Sequence, residues 1–312
     1  MAGMTGTTGT KSDRDDRDQL AAMLAKMTTR EAFGSTPIDG VQFIRASGSQ
    51  LRSPVIYEAS ILIIAQGRKI AYVGGKKYIY DSNNYLVLPV PMTFDCTTEG
   101  TLAKPLLGVS IGVDPSMVGE LLLEMEDDKS IAGITRGIYS APMTGELTRA
   151  AIRLLEAMRS PAESRILGRH VVREILYRVL CGHQSAALKA IAIRHSHFGQ
   201  ISKVLRRLHT NYANSMDVES LAREVGMSVS TFHANFKAVT SNSPLRYLKS
   251  IRLHKARLLM VQDGATASSA AVQVGYESAS QFSREFKRFF GSTPADEAAK
   301  MRAWLSDCRG QK

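Results

Sequence analysis

The feature that most constrains this chain is an internal repeat near its end. Ala222, Val225 and Gly226 recur 49 residues later as Ala271, Val274 and Gly275, while Phe232, Phe236, Lys237 and Pro244 recur 50 residues later as Phe282, Phe286, Lys287 and Pro294. The one-residue increment falls between the glycine and the first phenylalanine, where a turn absorbs an insertion without disturbing the helices on either side. Each copy reads as a short helix, a turn and a second amphipathic helix, the helix-turn-helix pattern. In the first copy Leu221, Ala222 and Val225 face inward from a helix over 218–225, Gly226 breaks it, and 228–239 forms the next. Alanine lets the paired helices cross closely, and glycine takes the backbone conformation that the sharp turn requires. Upstream, Ile201, Val204, Leu205, Leu208 and Tyr212 mark one face of a further helix.

Between the copies, Pro244 opens a helix that runs to about Gln262 and ends at Asp263-Gly264. Eighteen residues at 1.5 Å each give roughly 27 Å. With the flanking units added, two recognition helices could sit about one DNA turn apart, roughly 34 Å, in successive major grooves. The charge distribution agrees. The chain of 312 residues carries a net charge of +11, and residues 200–312 hold 17 Lys/Arg against 9 Asp/Glu, whereas the preceding 199 hold 23 against 20. The excess cation density sits where a polyanion reader needs it.

Length and composition suit two globular domains. Cys96, Cys181 and Cys308 are scattered and form no CxxC arrangement, which excludes a disulfide framework or zinc knuckle and fits a reducing, cytoplasmic setting. No apolar run approaches the roughly 18 residues of a membrane span, and the N-terminus lacks the apolar region of a signal peptide.

The pattern divides the chain into a polar tail and helix (1–36), a β-rich then helical unit (37–182), a linker (183–199) and the duplicated unit (200–312). Leu20, Met23, Leu24 and Met27 predict a helix within 13–33. Ser60 to Ala65, Ile70 to Val73, Tyr78 to Tyr80, Tyr85 to Pro89 and Leu106 to Val113 read as strands, with Gly74-Gly75 a hairpin turn. Short strands at this spacing suggest a small barrel or sandwich. Helices then follow over 117–125, 147–158 and 166–180. The stripes on the last two serve either as core or as the interface of a homodimer.

Val274-Gly275-Tyr276-Glu277-Ser278, then Phe282, Arg284, Phe286, Lys287, Phe290-Gly291 and Thr293-Pro294, resemble the signature of the AraC/XylS family. Tyr57-Glu58, Gln66-Gly67-Arg68-Lys69, Gly74-Gly75, Tyr78, Tyr80-Asp81 and Asp114-Pro115 are similar to the N-terminal domain of one branch of that family. The resemblance implies an α+β chain. A cupin-like β-barrel with trailing helices comes first, then an all-α domain with two helix-turn-helix motifs joined by a linker helix. It also implies a sequence-specific transcription regulator on double-stranded DNA, with RNA polymerase as a partner where it acts as an activator, paired as a homodimer and responsive through its N-terminal domain to a small organic effector or to a protein partner.

The inward phenylalanines fix which residues face the groove. Ser230, His233, Ala234 and Lys237 point outward in the first copy, and Ser280, Ser283, Arg284 and Lys287 in the second. The family places base contacts at such positions. Ser230, His233, Ala234, Ser280, Ser283 and Arg284 are therefore the candidate base readers. Arg284 can make two hydrogen bonds to guanine, whereas Ala234 offers only a methyl group. Lys237, Arg246, Lys249, Lys287 and Arg288 are the candidate phosphate contacts.

A metal-dependent barrel enzyme needs clustered histidines, yet all seven lie at position 170 or later. No metal or cofactor is expected, and the barrel reads as a binding domain, with Tyr57, Gln66, Arg68, Tyr80 and Met92 as candidate lining residues. Two competing functions are a DNA-docked modification or repair enzyme and a non-sensing architectural DNA binder. The first needs a zinc-bound cysteine cluster that the scattered cysteines do not supply. The second leaves the barrel without a role.

Overall fold

A computed structural model describes residues 11–28, 31–126, 136–193 and 196–310. The N-terminal half is built on one antiparallel sheet. Its strands are β1 (Ala32–Ser35), β2 (Val41–Ala46), β3 (Gln50–Tyr57), β4 (Ser60–Gln66), β5 (Arg68–Val73), β6 (Lys76–Asp81), β7 (Asn84–Leu88), β8 (Met92–Glu99), β9 (Leu106–Gly112) and β10 (Tyr139–Pro142). The spatial order is β1-β2-β9-β4-β7-β6-β5-β8-β3, with β10 added beside β7. The sheet curls into a half-barrel whose two ends meet where the Phe33 and Tyr57 rings lie edge to face at 5.7 Å. Positive φ at Gly74 and Gly75 closes the β5–β6 hairpin, as the sequence predicts.

Helix α1 (Lys11–Met27) lies against the sheet with Leu20, Met23 and Leu24 buried. It ends six residues earlier than the outer limit of its predicted window, because Ala32–Ser35 leave the helical path to pair with β2. After α2 (Pro115–Glu124), the predicted stripes form α3 (Gly145–Ala157) and α4 (Pro161–Leu180). Their inner faces are core: Leu147, Ala151, Leu154 and Leu155 on α3, and Ile175, Leu176, Val179 and Leu180 on α4. Ile166, Leu167 and Tyr177 remain on the outer face of α4, exposed by 66, 46 and 43 %.

The stretch expected as a linker carries structure. It holds α5 (Ala186–Ala190) and the first turn of α6 (His197–Thr210), and Leu188, Ile191 and Phe198 are buried. Ser196 caps α6 by accepting from Gly199 N at 2.9 Å. The reason is apolar content: these side chains bury against the helices on either side, so the connection packs rather than crossing solvent.

The duplicated unit follows the repeat closely. It comprises α7 (Val218–Glu224), α8 (Val229–Thr240), α9 (Pro244–Gln262), α10 (Ala267–Gln273), α11 (Ala279–Phe290) and α12 (Pro294–Gly310). One continuous core runs from α1 through the sheet and helices into the first helix-turn-helix, ending at Ile251. The second has its own core, from Leu253 to Ala298.

Candidate nucleic-acid interface

The two copies form by the same local devices. Asp217 caps α7, accepting from Glu219 N and Ser220 N, and Thr266 caps α10, accepting from Ser269 N. Gly226 (φ 65°) and Gly275 (φ 85°) then turn the chain through the left-handed region. Just beyond each glycine the same bond closes the turn: Met227 N to Ala222 O, and Tyr276 N to Ala271 O, both 2.9 Å. This six-to-one bond marks a glycine-terminated helix. Ser228 and Ser278 cap the second helices through Thr231 N and Gln281 N.

Inside, the pairs Phe232–Phe236 and Phe282–Phe286 are fully buried, with ring centroids 5.7 and 5.5 Å apart and planes at 53° and 54°. Matching interiors fix matching exteriors. Ser230, His233, Ala234 and Lys237 are exposed on α8; Ser280, Arg284, Lys287 and Arg288 are exposed on α11, and Ser283 is half-buried beside them. Among the described residues Arg284 has no carboxylate within ion-pair distance, so its fork of donors stays free.

The phosphate candidates divide. Lys237, Lys287 and Arg288 lie on the same helices as the candidate base contacts and are exposed beside them, and Arg246 is exposed at the start of α9. Lys249 is held by Glu285 at 2.7 Å. Glu285 also accepts from the Tyr276 hydroxyl at 2.9 Å and the Gln281 amide at 3.2 Å. Burial pushes the Glu285 carboxyl up, but these three donors outweigh it and hold it below the usual carboxylate range. Lys249 thus braces α11 against α9. Sequence pattern did not reveal this, because position 285 corresponds to Asn235 in the first copy.

The sheet docks directly onto the first helix-turn-helix and the start of α9. The Tyr247 hydroxyl on α9 donates to Pro91 O at 2.7 Å and lies 2.8 Å from His209 Nε2. The Ser250 and Thr93 hydroxyls meet at 3.0 Å, and Gly137 N donates to Val239 O in the last turn of α8 at 3.0 Å. Glu58, at the β3–β4 turn, lies 3.5 Å from His209 Nδ1, and the neighbouring imidazole holds its carboxyl low.

The candidate effector residues also divide. Tyr57, Tyr80 and Met92 are buried inside the half-barrel. Gln66 and Arg68 do not join them: Gln66 donates to Pro105 O at 2.8 Å, and Arg68 lies on the rim between Asp81 and Glu99. A cleft of about 600 Å³ opens at the mouth, lined by Phe33, Ile38, Val41, Ile56, Tyr57 and Leu62 among others. Tyr57 is the one candidate that lines it, and its hydroxyl is buried without a hydrogen-bond partner. Lys69, which sequence reasoning passed over, is 8 % exposed, with its ammonium 5.6 Å from the Tyr57 ring centre. Alternation with inward Ala71 and Val73 is the signal that would have placed it. Among the described residues no three His, Cys, Asp or Glu side chains cluster as metal ligands.

Residues 37–187 match the family described as AraC-type transcriptional regulator N-terminus, and residues 221–299 match a helix-turn-helix domain. A putative AraC-like transcription regulator of Streptomyces lividans is 33 % identical over 143 residues, which span 45 % of this chain and 47 % of that one, about half its length. The thermoregulatory protein LcrF of Yersinia pestis is 25 % identical over 239 residues, 75 % of this chain and 87 % of LcrF. In fold, the chain is similar to ToxT from Vibrio cholerae with unsaturated fatty acid bound. The TM-score is 0.57 at 12 % identity, covering 83 % of this chain and 94 % of ToxT.

Proposed function

Because the chain belongs to the AraC family of DNA-binding transcription regulators, we propose that it activates transcription in the cytoplasm by placing α8 and α11 in successive major grooves of a bipartite operator. The observation that carries this reading is the exposed outer face repeated on both helices over identical phenylalanine interiors. Ser230, His233, Ala234, Ser280, Ser283 and Arg284 read bases. Lys237, Arg246, Lys287 and Arg288 hold phosphates and make binding fall with salt. Lys249 contributes through Glu285 instead.

The half-barrel serves as a sensor rather than an enzyme. Its mouth takes an organic effector with an apolar body and an acceptor group for the Tyr57 hydroxyl. The fatty acid bound to ToxT is a molecule of that class. Two chains pair through the outer face of α4, around Ile166, Leu167 and Tyr177, and the DNA-bound dimer recruits RNA polymerase. Selection of binding sites from random duplex DNA, at two salt concentrations, tests the central claim. Enrichment of a site with two half-sites about one helical turn apart supports it. Binding without sequence preference refutes it.

A further inference from the structure

Two observations meet between the readers. Tyr212, just beyond α6, packs against both cores: the one shared with the sheet and the one enclosed by the second reader. Arg252, midway along α9, spreads its guanidinium over three main-chain carbonyls. Nε donates to Tyr212 O at 2.8 Å, Nη2 to Asn214 O at 2.9 Å and Nη1 to Gly275 O at 3.0 Å. Tyr212 and Asn214 lie in the α6–α7 connection of the first reader, and Gly275 is the turn glycine of the second. The two backbones touch at the same point. A Cβ at Gly275 would lie 2.1 Å from Ala213 O and 3.1 Å from Arg252 Nη2. Nearby, Lys255 sits over the Tyr212 ring at 5.7 Å.

We propose that Arg252 is a positioning residue for bipartite DNA recognition: its three bonds tie the first reader's loop to the second reader's turn and so set the phase between the two recognition helices. The inference rests on the reading of the chain as a two-reader DNA binder. Helix α9 fixes how far apart the units stand, since its start is buried in one core and its end in the other. A single helix leaves rotation about its own axis to be settled by contacts away from that axis. The joint of Arg252, Tyr212, Asn214 and Gly275 is such a contact. A planar fork directs several donors at fixed angles, which a lysine ammonium does not reproduce. Peptide carbonyls that lose a charged donor lose a bond stronger than a neutral one.

Phase matters because B-DNA turns once in about 10.5 base pairs. Each base pair inserted between half-sites therefore swings the second by about 34° around the duplex. A rigid pair of readers rejects the altered spacing, and a loosened pair tolerates it.

The test uses the full-length protein and a bipartite site selected from random duplex DNA. The probes are that site, the same site with one and two base pairs inserted, and each half-site alone. Wild type should bind the selected site about 100-fold tighter than either half-site, as rigid linkage allows, and lose most of that advantage on insertion. Arg252→Lys keeps the charge and most of the stem. It should bind the intact site about tenfold more weakly, bind each half-site as wild type does, and respond little to insertions. Arg252→Gln, which keeps one donor amide, should behave alike. A wild-type spacing profile in both variants overturns the inference, as does an equal loss on half-sites and the full site, which would make Arg252 a phosphate contact or a general structural residue. Failure of the wild type to select any bipartite site would instead refute the two-reader reading, and this inference with it.

Discussion

The junction between sheet and reader can be tested by a single oxygen. Tyr247 is 1 % exposed, and its ring packs edge to face on Phe236 at 5.5 Å. Tyr247→Phe leaves that packing intact and removes only the hydroxyl. Pro91 O then loses its donor and His209 Nε2 its acceptor, both inside the protein. Since the hydroxyl proton goes to the carbonyl, His209 is the donor in the second bond. Each bond contributes about 0.5–1.5 kcal/mol net, and buried groups left unpaired push the cost to the top of the range. We expect a loss of about 1–3 kcal/mol, or roughly 2 °C in Tm per kcal/mol for a chain of this size. Calorimetry gives the magnitude, and hydrogen exchange gives the location. Protection should fall in α6, the start of α9 and the last turn of α8, and persist in α10 and α11, whose core is separate. An unchanged Tm, or a loss of protection as large in α11 as in α8, would refute these docking energetics.

Arg284→Ala should weaken binding to the selected site by about 1–3 kcal/mol and relax preference at one base pair, whereas Lys237→Ala should weaken all sequences alike and reduce the salt slope by about one. Binding-site selection at fixed salt decides, and a uniform loss for Arg284→Ala would make it a phosphate contact. His254 is 1 % exposed with neither ring nitrogen hydrogen-bonded, and burial first, then Arg257 and His209, pushes its pKa well below the usual value. The folded chain therefore binds fewer protons there than the unfolded chain, so stability should fall as pH drops below about 6.5. His254→Leu should flatten that slope in denaturation curves between pH 7.5 and 5.5, and an unaltered slope would exclude His254 as its source. Leu167→Asp, on the outer face of α4, should shift the full-length protein from dimer to monomer in sedimentation at tens of micromolar, and a wild type that is already monomeric there would remove the proposed interface.

What the sequence made legible was local. A helix-turn-helix is specified by residues one to seven positions apart, so Ala222, Gly226, Phe232 and Phe236 announce it, and their second occurrence fixes the register. The capping residues Asp217, Ser228, Ser243, Thr266 and Ser278 act on the next turn of chain and are equally local. The strands β1, β2, β3, β8 and β10 lacked such signals. Ala32–Ser35 is extended only because β2 supplies partners, and Tyr139–Pro142 only because β7 does. Long-range pairing overrides weak local preference. The same reasoning explains the effector candidates. Arg68 and Lys69 are adjacent cations, and strand alternation sends one to the rim and the other inside. The junction had no sequence signature at all, since Tyr247 and Pro91 lie 156 residues apart.

The repeat also shows how duplication permits divergence. Backbone demands stayed the same in both copies, yet each copy solved them with different side chains. The left-handed cap after the recognition helix is Gly291 in the second copy and Ser241 in the first, at φ 82° and 59°. Serine in that region is strained by about 1 kcal/mol relative to glycine. In the first copy the cap sits against the β5–β6 hairpin, where a Cβ on Gly74 would lie 2.7 Å from Ser241 Oγ. Contact with the sheet thus surrounds the strained residue, together with Gly137 on Val239 O. The copy that offers only a methyl group at position 234 is the one merged into the half-barrel's core, and the copy that carries Arg284 has a core of its own. A change in the half-barrel would therefore act first on where the first reader sits. It would reach the second only through α9 and the Arg252 joint. On this reading position is regulated at one reader and base discrimination is concentrated at the other, a division that two identical copies could not support.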